Sequence, residues 1–106
     1  MHIIIIADGL TNDLCGIEDQ YQNVKMNIGY NEISRLFGEG SIYGNGIVPK
    51  FLRAAINKKK KSESVDIIFV RDSFKSDDDE SSELLRRYGI HDIKGTSGNE
   101  FVDPIK

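Results

Sequence analysis

The chain has 106 residues, of which 39% are hydrophobic and 29% charged. This length allows one small domain with a modest core, and such a core favours stabilisation by a partner surface. A net charge of −3 gives no overall attraction to nucleic acid, and the apolar run at residues 3–7 is too short to cross a bilayer. The single cysteine, Cys15, excludes an intramolecular disulfide. We therefore expect a cytoplasmic protein without nucleic-acid or membrane partners.

Two apolar runs predict the strands of a parallel sheet. A strand is predicted at residues 2–7, because the β-branched run Ile3–Ile6 is typical of a strand that is buried on both faces. Residues 65–70 are predicted to form a second, nearly all-apolar strand. Between them, residues 47–61 carry apolar side chains with helical spacing, namely Ile47, Val48, Phe51, Leu52, Ala55 and Ile56. Strand, helix and strand in this order predict a βαβ unit.

The remaining segments give weaker patterns. A second helix is expected at about residues 79–88, with Gly89 as its carboxyl cap and a buried face made of Leu84, Leu85 and Tyr88. Residues 30–37 fit a short helix, the rest of residues 9–46 reads as loop, and one helical turn is expected near Glu100. The predicted fold class is α/β, a partial three-layer Rossmann-like parallel sheet.

Four motifs, in this order along the chain, carry a family resemblance. They are a strand ending in Asp8 and followed by Thr11-Asn12-Asp13-Leu14, then Ile47-Val48-Pro49, then Val70-Arg71-Asp72, and last His91 followed by Gly95-Thr96-Ser97-Gly98-Asn99-Glu100-Phe101-Val102. The last motif is the most specific, because eight positions keep a fixed spacing. With these motifs the chain resembles the amino-terminal half of isochorismatase-like cysteine hydrolases, which include nicotinamidases.

The resemblance implies amide-type C–N hydrolysis of a small-molecule substrate by an Asp, a Lys and a Cys. Asp8 matches the Asp, which serves as general base and acid beside the Cys thiolate. In the family the Lys and the Cys follow the Phe-Val motif, so we expect both to be missing from residues 1–106. This chain would then be a single domain, half of the enzyme, and would act with a carboxyl-terminal half. Cys15 lies in the wrong place and reads as a small apolar filler.

Nicotinamidase-type members also bind a metal, and the resemblance extends to part of that site. Asp72 and His91 match two of the three ligands, while Phe74 stands where the middle His is expected. Zinc sites in proteins have at least three protein ligands. We therefore expect no cofactor, with a divalent metal at Asp72 and His91 as the alternative. Otherwise His91 bonds to a nearby backbone group and Asp72 caps a loop.

Two other functions stay open at this point. A half sheet with an open edge and an apolar face could belong to a non-catalytic assembly subunit or a homo-oligomer. Acidic residues at two strand ends could instead hold Mg²⁺ in an α/β nuclease or phosphohydrolase; the candidates are Asp8, Asp13, Asp72 and the run Asp77–Asp79. The basic run Lys58–Lys61 is solvated surface or a docking patch for an acidic partner.

Overall fold

The computed structural model describes residues 2–38, 44–61, 64–75 and 79–103, with the backbone course alone for 79–82. Two strands and five α-helices follow one another along these residues, and a short 3₁₀ helix ends the series. They are β1 (Ile3–Asp8), α1 (Asn12–Cys15), α2 (Asp19–Gln22), α3 (Tyr30–Phe37), α4 (Ile47–Lys60), β2 (Val65–Val70), α5 (Asp79–Tyr88) and the 3₁₀ helix (Ser97–Asn99). The predicted α/β class is confirmed.

The sheet is a parallel pair. β1 and β2 run side by side from the pair Ile3–Val65 to the pair Asp8–Val70, and they form a two-stranded sheet in the described part of the chain. Helix α4 lies between them in sequence and packs against β2. The predicted strand–helix–strand unit is therefore present, and it brings the carboxyl ends of both strands to one edge.

The core lies where α1, α3 and the carboxyl-terminal segment meet. Ile33 and Phe37, one helical turn apart on α3, are buried together with Val102 and with Cys15 at the end of α1. α3 then packs on α4. Gly46 allows this close approach, because a Cβ atom there would meet the Leu36 carbonyl.

The expectation that β1 is buried on both faces is wrong for this chain. Successive side chains of a strand point to opposite faces. Ile3 and Ile5 face the α4 side, where they lie beside Phe51. Ile4 and Ile6 on the other face are 58% and 64% exposed. Ile68 and Val70 of β2 are exposed on that same face, and we call these four residues the open face. No described element covers it.

The predicted apolar face of α4 is only partly buried. Leu52 and Ala55 are buried, whereas Ile47 is 63% and Phe51 56% exposed. The physical reason is the width of the sheet, since two strands cannot cover the whole stripe. Ile56 is exposed as well.

The second predicted helix and the long loop also differ in detail from the expectation. In α5, Leu84 and Leu85 are half-buried, but Tyr88 is exposed, which corrects the predicted buried face. Gly89 follows α5 with φ +86°, as expected for a carboxyl cap. Within residues 9–46, α1 and α2 are short helices where loop was expected. Asp77 and Asp78 lie outside the described residues.

The described helices include none with the length and hydropathy needed to cross a membrane.

Ile33→Ala should destabilise the fold strongly, because it removes a fully buried side chain and leaves a cavity in the core. We expect a loss of about 2–5 kcal/mol in the free energy of unfolding, measured by urea denaturation. The matched control is Ile90→Ala, since Ile90 is 76% exposed and should change stability by less than about 0.5 kcal/mol. Equal effects of the two substitutions would contradict the assignment of the core.

Candidate functional site

Asp8 ends β1 at the edge where the resemblance places catalytic chemistry. It is exposed and lies opposite Val70, the last residue of β2. The next residue, Gly9, has φ +75° and donates its N–H to the Val70 carbonyl at 3.0 Å. This bond fixes the direction in which the chain leaves β1, so the Asp8 carboxylate is held at the carboxyl edge of the sheet.

Asn99 is the centre of a buried hydrogen-bond network at the same edge. Its side chain is 3% exposed. Its Nδ2 donates to the Asp72 carbonyl at 2.6 Å and to Asp92 Oδ1 at 3.4 Å, and its Oδ1 accepts from the Ser73 hydroxyl at 2.8 Å. The amide thereby ties the segment after β2 to the segment after α5. We call these hydrogen bonds, together with the other contacts that residues 91–102 make with the segments after β1 and after β2, the Asn99 network.

Arg71 extends the Asn99 network to the end of β2. Its Nη1 donates to the Asn99 carbonyl at 2.6 Å, and its guanidinium carbon lies 5.0 Å from the centre of the Phe101 ring. A cation over an aromatic face is held by the ring quadrupole. The arginine of the Arg-Asp motif therefore has a structural role: it holds Asn99 and Phe101 against the end of β2.

A second set of bonds joins the same segment to the residues after β1. The Asp92 N–H donates to Asp13 Oδ2 at 2.8 Å, and the side chain of Asn12 donates to the Ser97 carbonyl at 2.9 Å. Gly98 lies so close to the Asp13 carboxylate that a Cβ atom there would collide with it. Asp13 is thus a structural anchor, and Gly98 is required for its close approach.

Asp92 adopts a conformation that few residues tolerate. Its φ is +49°, a value at which Asp and Asn are enriched among non-glycine residues. The residue is fully buried, and its Oδ2 has no hydrogen-bond partner among the described residues. Burial raises the pKa of the Asp92 carboxyl, and the charge of Asp13 adds to that effect.

The two candidate metal ligands lie on the two segments that the Asn99 network joins. Asp72 is exposed. His91 is 4% exposed, and its Nδ1–H donates to the Gly89 carbonyl at 2.7 Å. The Phe74 ring stands edge-on to the His91 ring, with 5.2 Å between the ring centres. An apolar ring thus fills space beside His91 where the resemblance implies a ligand.

These residues do not make a metal centre by themselves. In residues 2–38, 44–61, 64–75 and 79–103, no group of three or more His, Cys, Asp or Glu side chains is placed to hold a metal ion. A pair of ligands is too few for a protein zinc site. A metal ion bound by Asp72 and His91 stays a prediction. The hydrogen bond from His91 to the Gly89 carbonyl fits the alternative, in which His91 bonds to a nearby backbone group.

Cys15 is packed as a core residue. Its side chain is 5% exposed, and it contributes to the cluster of Ile33, Phe37 and Val102. The thiol donates to the Gly9 carbonyl at 3.6 Å. Burial raises its pKa to about 11, with a further contribution from the charge of Asp92. Because the thiolate is the nucleophilic form, Cys15 is unsuited to nucleophilic attack near neutral pH.

Sequence reasoning found the glycines of the last motif but missed its two main polar residues. Asn99 and Asp92 occupy positions where any polar residue would fit a loop. The signal that was available is the spacing itself, because a fixed run of eight residues around Gly98 indicates that side chains meet specific partners there.

Comparisons of the chain with protein-family models, with curated proteins and with solved structures found no match.

Asn99→Ala should loosen the whole edge, because it leaves the Asp72 carbonyl and the Ser73 hydroxyl without this partner. We expect a loss of about 1–3 kcal/mol in the free energy of unfolding, measured by urea denaturation. Asn57→Ala on exposed α4 surface is the control and should be nearly neutral. A neutral effect at Asn99 would argue against the Asn99 network.

The reactivity of Cys15 should report its burial. With a pKa near 11 instead of 9.0, the thiolate fraction at about pH 8 falls roughly 100-fold, so alkylation by iodoacetamide slows by about that factor. The comparison is the same chain unfolded in urea, followed by mass spectrometry. The rate should rise as the pH approaches 11. Equal rates in the folded and unfolded chain would contradict the buried thiol.

Proposed function

We propose that this chain is the Asp-bearing part of an isochorismatase-like hydrolase, in which a further polypeptide segment supplies the Lys and the Cys. The observation that carries the proposal is the position of Asp8. Its carboxylate lies exposed at the carboxyl edge of a parallel sheet, where open α/β folds bind their ligands. The bond between Gly9 and Val70 orients it.

The burial of Cys15 supports an external nucleophile. A thiol with a pKa of about 11 cannot supply thiolate near neutral pH. A cysteine from another segment, with its pKa lowered by a lysine and a helix amino terminus, would supply it. Asp8 would then take the thiol proton as general base and return it to the leaving amine as general acid.

The open face is a second observation that supports the presence of a further polypeptide segment. Ile4, Ile6, Ile68 and Val70 form an exposed apolar surface on one side of the sheet. A contiguous apolar surface of this kind marks an interaction site. Helices laid across it would complete a three-layer Rossmann-like fold, with α4 on the other side. The substrate would be a small molecule with an amide-type C–N bond, and the Asn99 network would hold the edge rigid.

A non-catalytic assembly subunit is the second candidate, and the open face favours it as well. The two functions differ in one respect. A hydrolase needs the Asp8 carboxylate, whereas an assembly subunit needs only its apolar surface. An experiment that separates the two functions uses residues 1–106 expressed together with any segment encoded downstream of them in the genome.

Asp8→Asn should lower amide hydrolysis by the reconstituted protein by about 10²–10⁴-fold, because a general acid–base group contributes that much. Ammonia release from a panel of primary amides measures it. Asp19→Asn is the control, since Asp19 is also exposed but lies on α2, and it should retain full activity. Full activity of Asp8→Asn would contradict the catalytic assignment. A stable complex without hydrolysis would favour the assembly subunit.

A further inference from the structure

A cavity of about 370 Å³ lies between α2 and the loop of residues 90–98. Asp13 of α1, Tyr21 of α2 and Ser97 of the 3₁₀ helix contribute polar groups to its lining, and we call it the Asp13 cavity. Its volume falls within the range of about 300–1,000 Å³ that is typical of small-molecule sites. Asp8 is not among the described residues that line it, so the cavity is separate from the proposed catalytic carboxylate.

The Asp13 carboxylate can bind a ligand without giving up its structural role. Oδ2 accepts the Asp92 N–H at 2.8 Å, and the side chain is half-buried at the cavity wall. An ionised carboxylate offers about four acceptor positions on its two oxygens. The bond to Asp92 uses only one of them and fixes the direction of the group, so acceptor positions remain for a ligand in the cavity.

A pair of hydroxyl groups borders the same cavity. The Tyr21 hydroxyl donates to Ser97 Oγ at 3.3 Å, and Tyr21 is buried, so the phenol is held in place. A serine hydroxyl has one proton to donate and two lone pairs. Beyond its bond with Tyr21, Ser97 therefore keeps a lone pair and its own proton for a ligand.

The charge of the lining favours a cation. Among the described residues that line the cavity, Asp13 alone carries a formal charge. Lys25 follows Val24 of the lining in sequence, but its Nζ donates to the Arg87 carbonyl at 3.4 Å. A negative group beside apolar walls focuses its field into a cleft. An ammonium group is therefore favoured in the cavity, and a carboxylate is disfavoured.

The cavity also has an apolar wall. Val24, Ile90 and Ile93 line it, and Ile90 is 76% exposed. An ammonium ion alone would leave this wall in contact with water, whereas a ligand with a hydrocarbon body would cover it. Small-molecule sites combine apolar walls with a few placed polar groups in this way.

We propose that the Asp13 cavity binds a small organic cation, with a primary ammonium group against Asp13 and Ser97 and a hydrocarbon body against Ile90 and Ile93. Asp13 then has two roles, because it also anchors the loop through Asp92. The proposal does not rest on the hydrolase activity, since the site includes neither the proposed catalytic carboxylate nor a further segment.

Titration of the full chain with phenethylamine, followed by NMR of the methyl groups, tests the proposal. The signals of Val24, Ile90 and Ile93 should shift and saturate with a Kd of about 1 mM or below, while those of Ile5 on β1 stay unchanged. Phenethyl alcohol and hydrocinnamate present the same ring with a neutral and an anionic end. Both should bind at least about 10-fold more weakly, because a hydrogen bond between charged partners is lost.

A charge swap at Ile90 tests the sign of the preference. Ile90→Glu should strengthen phenethylamine binding and Ile90→Lys should weaken it, each by about threefold, because exposed charges interact weakly. The two variants are matched controls, since both replace the same exposed side chain with a long charged one. Asp13→Asn keeps an oxygen for the Asp92 N–H and should lower the affinity about 10-fold, with its fold checked by circular dichroism.

Four results would overturn the proposal. The absence of saturable shifts at Ile90 and Ile93 excludes the site. Hydrocinnamate that binds as tightly as phenethylamine excludes a preference for cations. A folded Asp13→Asn variant with unchanged affinity excludes Asp13 as the ligand's partner. Equal affinities of Ile90→Glu and Ile90→Lys contradict the electrostatic argument, and they do so even if Asp13→Asn fails to fold.

Discussion

The buried amide of Asn99 is the contact on which the arrangement of the site depends. A buried side-chain amide must find hydrogen-bond partners, and Asn99 finds them on the segment after β2 and on the segment after α5. The strand ends alone would leave these segments free to diverge. With Asn99 in place, residues far apart in sequence converge at one edge of the sheet.

Asp13 adds the third segment to this convergence. Its carboxylate accepts the Asp92 N–H, so the turn after β1 is fixed relative to the same loop. Asp8 directly precedes Gly9, whose N–H is bonded to β2, and the anchored turn follows. In the proposed function, Asp8 would gain from a rigid support of this kind, because small displacements from reactive geometry lower rates strongly.

Much of the fold could be predicted because it follows from local patterns. The spacing of Ile33 and Phe37 predicts α3, and the two apolar runs flanking α4 predict a parallel pair. The sequence could not show that one face of β1 is exposed. Hydrophobicity shows that Ile4 and Ile6 prefer to be covered, but it does not show whether the cover belongs to the same chain.

The polar part of the site was less accessible to sequence reasoning. Asp8 and the Gly95–Val102 motif were singled out by a family resemblance that stays a prediction, whereas the structure gives the motif a physical role as the contact that joins three segments. The role of Asn99 depends on partners 7 to 27 residues away. No local rule relates an asparagine to such distant carbonyls. In the sequence, Phe74 could be noted only as the residue that stands where a metal-binding His is expected. The contact between its ring and the His91 ring became clear from the structure.

The exposed apolar surface of the sheet connects the fold to the proposed function. The open face offers a surface for the further segment that the proposal requires. This surface follows from one structural fact: in the described part of the chain, a two-stranded sheet covers only part of the apolar surface that its own residues present. The central claim is that another polypeptide segment covers the open face.

NMR of the isoleucine methyl groups tests this claim most directly. The methyl signals of Ile4, Ile6 and Ile68 should shift when residues 1–106 are expressed with the downstream segment, because that segment covers the open face. The signals of Ile90, which is 76% exposed after α5, should stay unchanged. Unchanged signals of Ile4, Ile6 and Ile68 would contradict the claim.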